Sequence, residues 1–158
     1  MNEREIKKLV IVSLAENFSK SIANEIAQSL DMIFCDAKEL LTYQLSDLNA
    51  LSEKISKSYL DKEEKRVLTE LSSYEDVVIS INFDLLFQNL KKMADKALIV
   101  FVKLPKAYVK ENGNPIDSIA YDSRSQELEQ IADLTISLRK TDKTFVCAKI
   151  LEMLRGIL

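Results

Sequence analysis

Apolar residues fall into two spacings along this chain. Five short apolar runs have the look of strands buried on both faces: 8–13 around Leu9-Val10-Ile11-Val12, Met32–Cys35, Val77–Ile81, Ala97–Val102 and Leu134–Leu138. Between them the apolar positions recur at helical spacing. Ile22, Ala23, Ile26, Ala27 and Leu30 share one face of a helix over 19–30. Further helical segments are expected at 37–43, 46–57 and 61–72, the last turning Leu60, Val67, Leu68 and Leu71 inward and its lysines and glutamates outward. Residues 84–93 carry Leu85, Leu86 and Leu90, and helices at 123–132 and 142–155 follow, the final one capped by Thr141 or Asp142. The pattern loosens after 102, at Pro105 and at Lys-Glu-Asn-Gly-Asn-Pro (110–115), whose Asn-Gly and Asn-Pro pairs are turn signals. Strands separated by helices predict an α/β fold of three layers, α/β/α, with a five-stranded parallel sheet covered on both faces. No repeat, low-complexity segment or linker divides residues 1–158, so one domain is expected.

Composition narrows the function classes. With 158 residues, 47% apolar and 30% charged, the chain can bury a real core. No apolar run approaches the roughly 20 residues that span a bilayer, and the charged opening MNEREIKK is unlike a secretory signal. Cys35 and Cys147 make neither a disulfide framework nor a zinc set; they read as buried, reduced core residues of a cytoplasmic protein. A net charge of -3 argues against nucleic acid as the main partner, and no membrane partner is expected. The absence of histidine removes the commonest general base and metal ligand. The only glycines are Gly113 and Gly156, neither near an apolar strand end. That matters for Ser-Leu-Ala-Glu-Asn-Phe-Ser-Lys-Ser (13–21), which sits between a strand and a helix where a phosphate-binding loop would sit. Such loops use glycine for positive φ and close backbone approach, and this stretch has none.

Three strings, with the order of elements, resemble shikimate kinase, a member of the nucleoside-monophosphate-kinase branch of P-loop proteins. AQSLDMIFCD (27–36) resembles the helix end and second strand that lead into that family's Asp-x-Asp motif. EKRVLTEL (64–71) resembles the helix after its Phe-Arg substrate motif. RSQELEQIADLTISLRKTDKTFVCAKILEML (124–154) resembles its Arg-x-x-x-Tyr segment, last strand and terminal helix. The likeness spans most of the chain, less well through 105–122. It implies a P-loop kinase-like fold and, for an active member, ATP and magnesium.

The resemblance also assigns positions. Two registers fit the phosphate loop. One keeps Lys20-Ser21 as the Lys-Ser pair, puts Leu14 and Ser19 at glycine positions, and needs a one-residue deletion in the next helix. The ungapped register, preferred here, puts Ser13, Glu16 and Phe18 at glycine positions and Ser19 at the lysine. Asp36 matches the first Asp of Asp-x-Asp, associated with magnesium, while Lys38 replaces the second, associated with substrate hydroxyls; Asp36 also reads as a plain cap for the next helix. Leu60-Asp61 stands where the family has Phe-Arg, so the carboxylate-clamping charge is inverted; alternatively Asp61 is a helix N-cap. Asn82-Phe83-Asp84 replaces three glycines, or is a core-covering loop with Asp84 as N-cap. Arg124 matches a substrate arginine, though Leu128 replaces the usual Tyr; a surface salt bridge is its other reading. Residues 105–122 make a shortened lid-equivalent with no arginine, and Lys106 and Lys110 lack the planar fork.

The expectation is therefore a shikimate-kinase-like protein that has lost kinase activity and acts by binding a protein or a small ligand, with no cofactor and no metal. The alternative is a divergent small-molecule kinase that uses Lys20, Asp36 and Arg124 to pass phosphate from ATP to a shikimate-like hydroxyl. A homo-oligomeric subunit is a third reading, with Phe87, Tyr108 and Tyr121 as apolar interface candidates.

Overall fold

The structure is a computed structural model that describes residues 6–50, 57–113 and 116–155. Its elements run β1 (Lys8–Val12), α1 (Glu16–Leu30), β2 (Ile33–Asp36), α2 (Ala37–Ala50), α3 (Lys57–Ser72), β3 (Val77–Ile81), α4 (Phe83–Gln88), α5 (Leu90–Ala94), β4 (Ala97–Lys103), α6 (Lys106–Asn112), α7 (Ser118–Ile131), β5 (Leu134–Ser137) and α8 (Lys143–Arg155). The five strands form one parallel sheet in the order β2-β3-β1-β4-β5. This is the expected α/β architecture. Strand side chains alternate between faces, so β1 feeds two cores. Leu9 and Ile11 pack with Ile22, Ile26, Val146 and Ile150 under α1 and α8. Val10 and Val12 pack with Leu41, Val67, Leu68 and Leu86 under α2, α3 and α4. Both layers are needed because β1 is buried along its whole length. No helix among the described residues is long and apolar enough to cross a membrane.

Several boundaries differ from the sequence reading, each for a local reason. Helix α1 begins at Glu16 rather than 19, so the strand-to-helix turn is only Ser13–Ala15. The segments expected at 37–43 and 46–57 are one helix as far as Ala50, and 51–56 lie outside the described residues. Helix α3 starts at Lys57, which leaves Leu60 half-buried inside it. The helix expected over 84–93 is broken at Asn89, whose φ of -129° leaves helical geometry. Helix α7 starts at Ser118, five residues early, because the Asp117 carboxylate accepts the Ala120 N–H at 2.7 Å. Residues 106–112, which looked irregular, are helix α6, entered directly from Pro105. The Asp142 cap is present, its carboxylate accepting the Phe145 N–H at 3.2 Å.

Two buried polar groups each have a defined partner. The Lys8 side chain leaves only 2% of the residue exposed and donates to the Ser72 carbonyl (2.7 Å) and the Lys92 carbonyl (3.1 Å). Those carbonyls belong to the last turns of α3 and α5, where an ammonium complements the negative end of each helix. Cys147 is buried as expected, its thiol donating to a Glu25 carboxylate oxygen at 3.1 Å, whereas Cys35 is half-buried rather than buried; both are free thiols.

Replacing Lys8 by Met should cost about 1–3 kcal/mol of unfolding free energy in urea, the cost of leaving two part-buried helix-end carbonyls without a donor. Burial pushes the Lys8 ammonium below its ordinary 10.5, with Asp95 opposing. The unfolded chain then holds that proton more tightly, so the Lys8 contribution rises with pH in the window below 10.5. Burial and the Glu25 carboxylate push the Cys147 thiol up to about 12. Its folded form keeps the proton after the unfolded thiol has lost it, so stability should fall between pH 9 and 12, and a Cys147→Ala variant should lack that component of the fall. Native-state alkylation at pH 8 should label Cys35 well before Cys147.

Candidate functional site

The β1–α1 turn lies at the carboxyl edge of the sheet, where open parallel sheets place their ligands. Three residues is too short for a wide loop, and the turn closes on itself. The Ser13 hydroxyl is buried, donates to the Ala15 carbonyl (2.7 Å) and accepts the Ala15 N–H (3.3 Å). The Phe18 and Ser19 N–H groups donate to that same carbonyl at 3.0 and 3.3 Å. The Ser19 hydroxyl donates to the Glu16 carbonyl (3.1 Å). Phe18 and Ser19 are buried, and Ser21 is half-buried on α1.

Helix α6 is pressed against this turn. The Phe18 ring meets Tyr108 edge-on, with centroids 5.8 Å apart. Gly113, the C-cap of α6, approaches so closely that a Cβ there would lie 2.7 Å from the Leu14 carbonyl oxygen and 2.8 Å from that of Val109. Val109 and Leu104 are buried in the same contact region. Beyond α6, the buried Tyr121 hydroxyl donates to the Leu104 carbonyl, while Lys106 pairs with Asp122 at 3.2 Å and donates to the Ser118 hydroxyl at 2.7 Å. Phe87 and Tyr108 are half-buried, so of the three apolar interface candidates only Tyr121 is a core residue.

Two clefts flank the turn. In the larger, about 540 Å³, α1 faces the end of β2 and the first turns of α2. Lys20 pairs with Glu39, and Lys38 with Glu16 at 3.3 Å. The hydrogen bond and charge of Glu39 hold the Lys20 ammonium above its ordinary range. Asp36 caps α2, one oxygen accepting the Glu39 N–H at 3.0 Å, and its other oxygen accepts the Ser80 hydroxyl. The smaller cleft, about 30 Å³, offers space on the order of one water molecule. Ser13, Glu16, Asn82, Phe83 and Arg124 line it. There the Arg124 guanidinium lies over the Phe83 ring at 5.1 Å, and Phe83 packs on Phe87 with centroids 4.6 Å apart. Among the described residues Arg124 contacts the Phe83 ring and makes no ion pair. The Asn82 side chain accepts the Leu85 N–H at 2.8 Å, so Asn82, not Asp84, is the N-cap of α4.

Glu16, Lys20, Asp36 and Lys38 thus converge in one cleft, and Ser13, Glu16, Asn82, Phe83 and Arg124 in the other, with Glu16 shared. Asp61 joins neither. It lines a separate groove with Lys57, Glu64 and Gln88, and it is no N-cap because α3 begins four residues earlier. A triphosphate with magnesium requires converging backbone N–H groups, a lysine and a hydroxyl free to hold the metal. Here the Ser13 and Ser19 hydroxyls and the Ala15, Phe18 and Ser19 N–H groups are engaged within the chain, and Glu16 adds negative charge. These residues do not fit that group. Among the described residues no three His, Cys, Asp or Glu side chains are grouped to hold a metal ion.

Solved structures of the same architecture include shikimate kinase from Aquifex aeolicus, 24% identical, with a TM-score of 0.74 over 94% of this chain and 96% of that one. This is a shikimate-kinase-like fold. Shikimate kinase from Acinetobacter baumannii, solved with shikimate, is 15% identical with a TM-score of 0.71 over 97% of this chain and 95% of that one. A sugar kinase from Janibacter is 14% identical with a TM-score of 0.60, covering 95% of both chains. No protein-family profile matches the sequence, and no curated protein does. At these identities the likeness establishes the shikimate-kinase-like fold and nothing finer.

Sequence reasoning passed over Glu39, Asn17, Thr42 and Tyr43 in the larger cleft and Ser80 behind Asp36. For Glu39 a signal exists: Asp36 and Glu39 have capping-box spacing. The others depend on how α1 and α2 face each other, which local pattern does not encode. Substituting Gly113 by Ala should cost about 1–3 kcal/mol through overpacking against the Leu14 carbonyl. Urea unfolding measures this, and an unchanged midpoint would mean that α6 does not press on the turn.

Proposed function

We propose that this protein keeps a shikimate-kinase-like fold but works by binding another protein or a small ligand, not by transferring phosphate. The observation that carries this reading is the short β1–α1 turn, whose Ser13 and Ser19 hydroxyls and Ala15 and Phe18 N–H groups bond within the chain. In this reading 13–21 is a vestigial phosphate loop, and 105–122 is a shortened lid-equivalent whose helix α6 packs onto that loop instead of opening over a nucleotide. The reversed charges at Lys38 and Asp61 point the same way, since an ammonium cannot accept a substrate hydroxyl and a carboxylate repels a substrate carboxylate.

Arg124 favours a second reading, the divergent small-molecule kinase. An arginine held on an aromatic ring with no ion pair among the described residues is poised for a carboxylate. Two measurements separate the readings. Under the binding reading, millimolar ATP with magnesium leaves the thermal midpoint unchanged, and a coupled ADP-release assay with shikimate stays at background. A saturable shift with turnover, abolished by Lys20→Ala or Arg124→Ala, overturns it in favour of the kinase.

A further inference from the structure

We propose that the larger cleft, between α1 and α2, takes a zwitterion with ammonium and carboxylate ends, such as a short peptide; this rests on the binding reading above. The reason is the order of charges. Helix α1 presents Glu16 and Lys20 one turn apart, and α2 presents Lys38 and Glu39 in its first turn. The pairs cross the cleft with opposite polarity: Lys20 to Glu39, and Glu16 to Lys38. Their side chains are 37% and 58% exposed in the first pair and 31% and 61% in the second. Water screens such exposed contacts, so each is weak and readily exchanged.

Exchange with a zwitterion keeps every charge partnered. A ligand carboxylate accepts from the Lys20 ammonium, and the ligand ammonium donates to Glu39. A simple anion behaves differently, because it releases Glu39 as a lone carboxylate near Glu16 and Asp36. A simple cation on Glu39 releases Lys20. Asp36 stays out of the exchange because both its oxygens are already bonded. The Thr42 hydroxyl donates to the Lys38 carbonyl and keeps lone pairs to accept a peptide N–H. Tyr43, 79% exposed, supplies an aromatic surface at the rim. A volume of about 540 Å³ lies within the range of ligand pockets, about 300–1,000 Å³.

The test is a nitrogen-15 NMR titration of the full chain with glycylglycine, N-acetylglycine (anion alone) and glycinamide (cation alone). Amides of 16–20 and 36–43 should move with glycylglycine at concentrations at least tenfold below those needed for either single-charge probe. Lys20→Gln and Glu39→Gln should each weaken the glycylglycine response at least tenfold, and adding 0.5 M NaCl should weaken it too. The proposal is overturned if N-acetylglycine or glycinamide matches glycylglycine, if no amide moves at 10 mM, or if both variants respond like the parent. Mg-ATP in a parallel titration, read together with ADP release, isolates the other failure: nucleotide shifts at 13–21 accompanied by turnover sink the binding reading, whatever the dipeptide does.

Discussion

The Gly113 backbone and the Leu14 carbonyl approach so closely that a side chain at 113 would force one of them to shift, and the arrangement of the carboxyl edge depends on that contact. It brings α6 onto the β1–α1 turn, sets Tyr108 against Phe18, and buries Val109 beside the sheet. With α6 there, Phe18 is a core residue and not a loop residue. The Ser13 hydroxyl turns inward to hold Ala15. What remains open to solvent is displaced to either side, toward α2 in one direction and Arg124 in the other. The two clefts therefore follow from packing as much as from the charges that line them.

The sheet itself has a simpler origin. All five strands read from the sequence as apolar runs covered on both faces, but only β1, β3 and β4 are buried along their length; the order β2-β3-β1-β4-β5 puts those three in the middle and leaves the edge strands β2 and β5 partly exposed. Helix α1 was legible because Ile22, Ala23, Ile26 and Ala27 repeat at helical spacing and are all buried. The Asp36 and Asp142 caps were legible because a short acidic side chain before a helix has one dominant local use. Lys8 was not, since nothing in a strand's own sequence announces that two helix ends will terminate above it.

The candidate site was legible in part of its membership, with Glu39, Asn17, Thr42 and Tyr43 missed, and illegible in its grouping. Helix α6 has little apolar periodicity, and its Asn-Gly pair draws attention to a turn that comes only at its end; tertiary packing through Tyr108 and Val109 makes it a helix. Asp61 reads as a cap only if α3 starts where its charged run starts, and it starts at Lys57. The crossed pairs of Glu16, Lys20, Lys38 and Glu39 require the relative angle of α1 and α2. The pairing of α1 with α2 and the packing of α6 are long-range geometry, whereas the start of α3 and the Asp36–Glu39 capping-box spacing are local.

The central claim is that α6 is a fixed part of the wall around the β1–α1 turn. Native-state hydrogen exchange of the α6 amides tests it most directly. The Gly113 N–H, bonded to the Val109 carbonyl at 2.8 Å, and the Val109 N–H, bonded to the Pro105 carbonyl at 3.1 Å, are the groups to follow. The account predicts protection approaching that of buried α1 amides such as Ile22, unchanged by Mg-ATP. Exchange of both amides within seconds, or protection that appears only when nucleotide is added, would contradict it.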